Sequence, residues 1–340
     1  MPYAWNDLDN ATQMRTLSWQ KEYLTDIITN WDDWPLNSNM NIREAKNKAG
    51  GKCRWLVNVN RPVVQGTAYV APDYAHTVVK KFIGAELEFV EAFDEVAVPE
   101  GELDFIKADP VNGIDLLASH RDDMVRGQLE FICRSIWNGT GILPGQMTGL
   151  NAAINDVVGA AIYAGISRVT YPRWQANVDR TAFALWAGTI STNVWPLYLR
   201  SQVAGRRPDA LVVSQPAGSV FHRLADANNF NTRVNPKPAP SGRYHGDPSA
   251  MTFMDMQLHW GGDNMPAGAA GVDIFGLRMD DIVLEYVTSA LVETYPWKVT
   301  ESNHVLHTKT RIHCQYAVHD PEKHFRVIGA TVAVDPVTGT

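Results

Sequence analysis

Near its C-terminus the chain carries His304, His307, His313, Cys314, His319 and His324, side-chain types that ligate zinc or copper. The segment alternates polar and apolar residues as a strand does, so His313 and Cys314 are expected on opposite faces. The expectation is therefore strand histidines and no metal. The acidic pairs Asp32-Asp33, Asp122-Asp123 and Asp280-Asp281 are adjacent rather than spaced for joint acid–base work. They read as solvated turns and one helix face. Gly50-Gly51-Lys52-Cys53 lacks the glycine spacing and the hydroxyl residue of a phosphate loop, and Gly268-Ala269-Ala270-Gly271 is not a dinucleotide fingerprint. Neither a Gly-x-Ser-x-Gly elbow nor a His-Glu-x-x-His pair occurs. Asn10-Ala11-Thr12 and Asn138-Gly139-Thr140 fit the glycosylation pattern but read as chance without a secretion signal. The expectation is no catalytic residue, no cofactor and no metal; a site assembled from distant residues stays open.

The elements around these residues tell more. At 340 residues, with 45% hydrophobic and 20% charged side chains, the chain can bury a substantial core in about two units. A formal net charge of -7 argues against a protein that coats nucleic acid through a basic surface. Cys53, Cys133 and Cys314 are too scattered for a disulfide framework or a zinc site, so a reducing cytoplasm is expected. No apolar run reaches membrane-span length, and Met1–Asn10 lacks the basic and apolar regions of a secretory signal. The 11 Trp either fill cores or serve a protein that buries its surface against copies of itself.

Residues 1–52 form a polar arm in which Leu17, Lys21, Leu24, Ile27, Ile28 and Trp31 fit one amphipathic helix. From Cys53 to Phe93 two strand-like runs flank a turn-rich tip with Pro62, Gly66 and Pro72. A lone hairpin is marginal in water, so its arms need a support. Residues 82–106 hold eight acids, Glu86, Glu88, Glu91, Asp94, Glu95, Glu100, Glu102 and Asp104, and no Lys or Arg. This is a solvated face or half of an intersubunit charge match with Arg206 and Arg207. A long helix spans 112–137, with Asn112 as its cap, Asp115 in its first turn, the stripe Ile114, Leu117, Met124, Val125, Leu129, Ile132 and Ile136, and a stop at Asn138-Gly139. A second helical stripe, Phe183, Trp186, Ile190 and Val194, is expected to break or kink at Pro196. Ala210–Ser214 reads as a buried strand, with Ser214 capping a helix from about Pro216, and 227–250 as an exposed loop. Strands are expected at 272–277, 282–286, 305–317 and 325–334.

The order arm, two-stranded loop, spine helix, α/β insertion and returning strands resembles the major capsid protein of tailed double-stranded DNA bacteriophages. The residues that carry it are the spine helix, the junction Leu150-Asn-Ala-Ala-Ile154 to Tyr163-Ala-Gly-Ile-Ser-Arg168 with Pro172-Arg173-Trp174, and Arg207-Pro-Asp-Ala-Leu-Val-Val213. The closing runs Lys309–Val318 and Phe325–Ile328 belong with them. The resemblance covers most of residues 40–334 and implies an α+β capsid fold: arm 1–52, extended loop 53–93 over a neighbouring subunit, peripheral domain 94–147 and 276–324, and axial domain 148–275 with 325–340 returning to it. It implies a non-enzymatic shell protein in the virion, assembled in the host cytoplasm. Its partners would be itself in hexamers and pentamers, then scaffold, portal and decoration proteins. Packaged DNA would face the inner wall without sequence-specific binding, and no membrane is involved. There is no long charged N-terminal scaffolding region, so a scaffold, if one is used, is expected to be a separate protein or to have been removed. Lys80 and Lys81 lie where some relatives form crosslinks, without a motif that supports one here. An encapsulin-like compartment shell and a Trp-lined carbohydrate-binding protein or hydrolase remain as alternatives.

Overall fold

The computed structural model describes residues 41–45, 51–58, 82–99, 110–141, 145–185, 187–203, 205–214, 216–221, 252–253, 255–261, 265, 272–300 and 305–332. The helix expected at 17–31, the loop tip with Lys80 and Lys81, the 227–250 loop and His304 lie outside them. The strands, in chain order, are β1 (Asn41–Glu44), β2 (Lys52–Asn58), β3 (Phe82–Glu88), β4 (Val90–Val98), β5 (Ile162–Tyr163), β6 (Ile166–Ser167), β7 (Asn177–Asp179), β8 (Phe183–Leu185) and β9 (Ala210–Val213). They continue as β10 (Thr252–Phe253), β11 (Met256–Trp260), β12 (Ile274–Leu277), β13 (Ile282–Tyr286), β14 (Glu293–Thr294), β15 (Lys298–Thr300), β16 (Val305–Val318), β17 (Phe325–Val327) and β18 (Ala330–Val332). The helices are α1 (Pro110–Asn138), α2 (Leu150–Ala153) and α3 (Ala187–Arg200), with a further helical stretch described over 216–221.

The first sheet is organised by β16, whose alternation holds from Val305 to Cys314 and then gives way to burial on both faces. One edge of β16 pairs antiparallel with β4 over Leu306–Cys314; the other takes β15, β14 and β13 in turn, and β1 adds to β13 in parallel. α1 lies on this sheet. Its stripe Leu117, Met124, Val125, Leu129, Ile132 and Ile136 is buried, each large aliphatic contributing about 1.5–3 kcal/mol. The Tyr316 hydroxyl donates to the Ile132 carbonyl at 3.0 Å, fixing helix to strand.

The second sheet runs β10-β11-β9-β12-β17-β7 and is mixed, β9 lying parallel to β11 and antiparallel to β12. All four residues of β9 and of β12 are buried, as the uninterrupted apolar run Ala210–Val213 requires of a central strand. α3 packs on this sheet through Ile190, Val194, Leu197 and Tyr198. The architecture is the expected α+β. One apolar core runs from α1 and β16 through the 147–176 junction to Val212 and Phe275 of the second sheet. The 275/276 division between the expected domains falls inside β12, which pairs only in the second sheet among the described residues.

Several local expectations are corrected. The long helix starts at Pro110, so Asn112 is inside it and not its cap, and Asp115 is not in its first turn. Proline suits a first helical position, where an amide donor has no partner. Phe183 belongs to strand β8, not to the following helix, because the chain leaves β8 before α3 begins at Ala187. Pro196 lies within α3 without ending it; burial of the four core residues outweighs one lost backbone bond. The Ser214 hydroxyl accepts from the Asp273 amide (3.3 Å) and thus ties β9 to β12. The helix after Pro216 gets no cap from that bond; the Ser214 carbonyl accepts from Gly218 instead. Gly139 does end α1, by close approach rather than a left-handed turn: a Cβ there would sit 2.2 Å from the Met147 carbonyl.

Gly276 faces its register partner Phe325, and a Cβ on it would lie 1.9 Å from the ring. Gly276→Ala is expected to lower stability by about 1–3 kcal/mol through overpacking, read as a shift in the urea unfolding midpoint.

Candidate functional site

The sequence-expected chemistry does not converge. Cys314 points into the core, and burial pushes its thiol up to about 12. His313, on the opposite face, packs edge-on against Phe89 at 5.7 Å. Among the described residues no three His, Cys, Asp or Glu side chains are placed to hold a metal. Asp281 departs from expectation: it is buried rather than solvated, because Lys323 reaches it at 3.0 Å from 42 positions away. Trp137, Trp174 and Trp297 are buried in packing and Trp55 is half-buried with its indole nitrogen inside, while Trp195 is exposed.

What the fold does build is a junction. After α2 the chain turns through Asn155–Ala161, makes the short hairpin β5–β6, and closes with a single helical turn at Pro172–Trp174. The hairpin bend places Ala164 (φ 51°) and Gly165 (φ 76°) in left-handed conformations. Glycine meets that demand freely and Ala164 does not. Such turns leave inward carbonyls with no ladder to join. The Arg168 guanidinium, wholly buried, donates to four of them: Trp174 (3.0 Å), Ala160 (2.8 Å), Ala152 (3.0 Å) and Ala153 (2.5 Å). Two of these are last-turn carbonyls of α2, where a cation also meets the negative end of the helix dipole. Burial lowers the Arg168 pKa to about 10, which leaves it charged at neutral pH. The guanidinium also lies 5.5 Å from the centre of the Tyr163 ring, which stacks on Trp174.

The junction is latched to the first sheet. Tyr163 Oη accepts from the Val318 amide at 2.9 Å, the Trp174 indole donates to the Tyr163 carbonyl at 2.9 Å, and Gln315 Oε1 accepts from the Thr148 amide at 3.1 Å. The Gln315 amide donates in turn to the Glu88 carbonyl at 2.9 Å, at the base of the β2–β3 hairpin. That hairpin has the support its marginal stability demands: Glu86 N–H donates to the Ala164 carbonyl, and Trp55 packs 5.4 Å from His319. Cys53 Sγ donates to Glu285 Oε2 (3.1 Å), whose other oxygen takes Arg43. Burial first, then the Glu285 carboxylate, holds that thiol far above its usual range.

Two further crossings between the sheets, 278–281 and 319–324, run side by side. Lys323 bridges Asp281 and Asp320, and His324 Nδ1 accepts from the Arg278 amide at 3.2 Å.

No family model matches the chain, and no curated protein matches it in sequence. Its three-dimensional form does have relatives. A chain of the cyanophage A-1(L) capsid asymmetric unit aligns with 86% of this chain and 90% of its own length, at TM-score 0.60 and 14% identity. The capsid of the native GTA particle aligns with 86% of this chain and 88% of its own (TM-score 0.53, 12% identity), and that of the empty GTA particle does so over the same shares (0.52, 11%). The chain has the tailed-phage capsid fold. In this capsid fold, the hairpin, spine helix, junction and returning strands all appear in the order expected from sequence.

Large apolar side chains stand exposed on the free parts of that fold: Leu56 (78%) and Phe82 (52%) on the hairpin, and Val158 (80%), Ile162 (64%) and Val169 (66%) on the junction. Sequence periodicity marked none of these as surface, because an interface residue and a core residue share one composition. Arg168 ends the junction run Tyr163–Arg168, and a lone cation in an apolar turn is the one signal of its role there.

Arg168→Met is expected to cost at least about 3 kcal/mol, since it strands buried acceptors at about 1–3 kcal/mol each; denaturant unfolding reads it. His324, faced by Asp281, Lys323 and Arg278, is held neutral by burial with its pKa lowered from 6.5 to about 4. The unfolded chain therefore takes up that proton first, and stability falls as pH drops from 6.5 towards 4. The loss is roughly 3 kcal/mol at about 1.4 kcal/mol per pH unit. His324→Gln should flatten that part of the stability–pH curve.

Proposed function

We propose that this chain is a major capsid protein that assembles itself, as hexamers and pentamers, into an icosahedral head around double-stranded DNA. The observation that carries this reading is the likeness to the cyanophage A-1(L) capsid chain over nearly the whole length of both. In this reading the α1–β16 sheet and its helix form the peripheral domain, the β9–β12 sheet and α3 the axial domain around each capsomer centre, and residues 53–93 extend over a neighbouring subunit. The protein acts by surface contact and not as an enzyme.

Physical features of the chain favour this reading. The hairpin projects large apolar groups on a free face, which a monomer has reason to avoid. Among the described residues the first sheet ends at β4, whose Glu91, Asp94 and Glu95 block indiscriminate strand addition. The formal net charge of -7 keeps packaged DNA from sticking to the wall, so scaffold, portal and decoration proteins, rather than nucleic acid, are the expected protein partners after self-contact.

Purified protein is expected to give rings, tubes or closed shells by negative-stain electron microscopy, with matching early elution on size exclusion. Leu56→Asp with Phe82→Asp is expected to leave a folded chain that assembles less. A wild-type protein that stays monomeric at high concentration, with a scaffold supplied, would sink the shell reading.

A further inference from the structure

The root of the β2–β3 hairpin is built around a small apolar cluster distinct from the larger ones beneath the two sheets. Cys53 of β2, Ala317 of β16 and Phe89, the residue between β3 and β4, are buried in it, with the half-buried Trp55 and Val287 against them. Its remaining buried member comes from elsewhere. Ala45 directly follows β1, so the N-terminal arm supplies one wall of the hairpin root. The Ala45 amide is fixed there by donating to the Tyr286 carbonyl at 2.8 Å.

As a strand, β1 has little to hold it. It is four residues long and, among the described residues, pairs only with β13, in the parallel sense that is slightly the weaker. Ile42 is only partly buried against the main core. The firm hold is an ion pair. Arg43 stands opposite Glu285 in register, and its guanidinium donates twice to Glu285 Oε1, at 2.9 and 2.5 Å. The Glu285 side chain is 9% exposed, so its charge depends on that cation. Its other oxygen accepts from the Cys53 thiol at 3.1 Å, a weak donor that cannot replace a guanidinium. One buried carboxylate therefore joins three elements: the arm, β13 and the root of the hairpin.

We infer that β1 is a latch on the hairpin, so that the arm and the hairpin root open and close as one unit while both sheets stay folded. When β1 leaves β13, Glu285 loses its cation and Ala45 leaves the cluster. Cys53 and Trp55 lose their surroundings in the same step. The coupling is reciprocal: a hairpin that withdraws Cys53 and Trp55 also loosens the arm. The Arg168 bonds and the Tyr316–Ile132 bond use neither Arg43 nor Glu285, so the frame does not open with the latch. β3 keeps its ties to the junction through the Glu86 amide and the Glu88 carbonyl, and what is freed is the β2 side. In the proposed shell, a contact that draws the arm off β13 would thereby change how the hairpin is set over a neighbouring subunit. That consequence rests on the shell reading; the latch does not.

The test uses the full chain and its three buried cysteines as reporters. Alkylation by iodoacetamide at about pH 8 is located by mass spectrometry, since the thiolate is the reacting form. Amide hydrogen exchange is followed over 41–45 and 52–58, with 129–136 and 210–213 as references. Arg43→Met is expected to speed alkylation of Cys53 by about ten-fold or more, because a buried pair broken on one side is strongly destabilised. Cys133 and Cys314 should stay slow, and Arg43→Lys should restore part of the protection. Ile42→Asn loosens the arm from the other side of β1, away from Glu285. It too is expected to speed Cys53 and to raise exchange over both segments together. An Ile42→Asn chain whose arm exchanges faster while Cys53 stays protected overturns the latch, as do three cysteines that accelerate in step. Wild-type protein in mild urea gives a check free of substitutions: 41–45 and 52–58 should lose protection together while the reference segments keep theirs. Separate responses overturn the latch even where every variant misfolds. None of these readouts needs a shell, so a chain that never assembles overturns the shell reading and leaves the latch standing.

Discussion

Inward-turned carbonyls at the junction between the two sheets have neither helix nor strand to bond them, and one guanidinium answers four. Arg168 is the condition for that part of the chain to be buried at all. An unpaired carbonyl in the core costs about 1–3 kcal/mol, and four together approach the stability of an ordinary domain. The bonds need a fork with several donors at fixed angles, which lysine lacks. The residue hydrogen-bonds to backbone only, so no carboxylate sits against the charge and Asp156 acts on it only from a distance. The α2 C-terminus and the Tyr163 ring supply the compensating partial charge.

From this point the remaining connections follow. Tyr163 is held between Arg168 and Trp174, so its hydroxyl can meet the Val318 amide at the end of β16. That same end is where both faces of β16 become buried, α1 on one side and the base of the hairpin on the other. The hairpin hangs from the junction through the Ala164 carbonyl and from β13 through Cys53 and Glu285. The side-by-side crossings with Lys323 and Asp281 close the frame at a second place. An error at the junction therefore reaches the hairpin, the helix and both sheets.

Legibility in the sequence followed the range of the determining forces. Ala210–Val213, the described part of the α1 stripe and the 282–286 and 305–317 runs are readable because local periodicity and burial agree in them. Phe183, Trp186, Ile190 and Val194 misled for the opposite reason. Their helical spacing is real, but the chain pairs Phe183–Leu185 with β18 from nearly 150 residues away before the helix starts. Asp281 looked like half of a solvated pair because its partner, Lys323, is distant in sequence. Arg168 and Gln315 were silent for want of any pattern: each earns its place by meeting backbone groups, and backbone groups leave no trace in composition.

Shell assembly needs contacts that are weak one at a time. A buried Val, Leu, Ile or Phe side chain contributes about 1.5–3 kcal/mol, and association of two chains costs an estimated 4–15 kcal/mol before any surplus appears. Two exposed apolar residues on the hairpin, about 3–6 kcal/mol if buried, and three on the junction, about 4.5–9 kcal/mol, place those surfaces near that balance rather than far beyond it. A subunit held by one such surface can leave and re-bind. Once held by several at once, it meets the next as an intramolecular event and stays. In the proposed shell, distributing the apolar residues over the free margins of the frame, instead of gathering them into one strong patch, would let misplaced subunits be corrected before the shell closes.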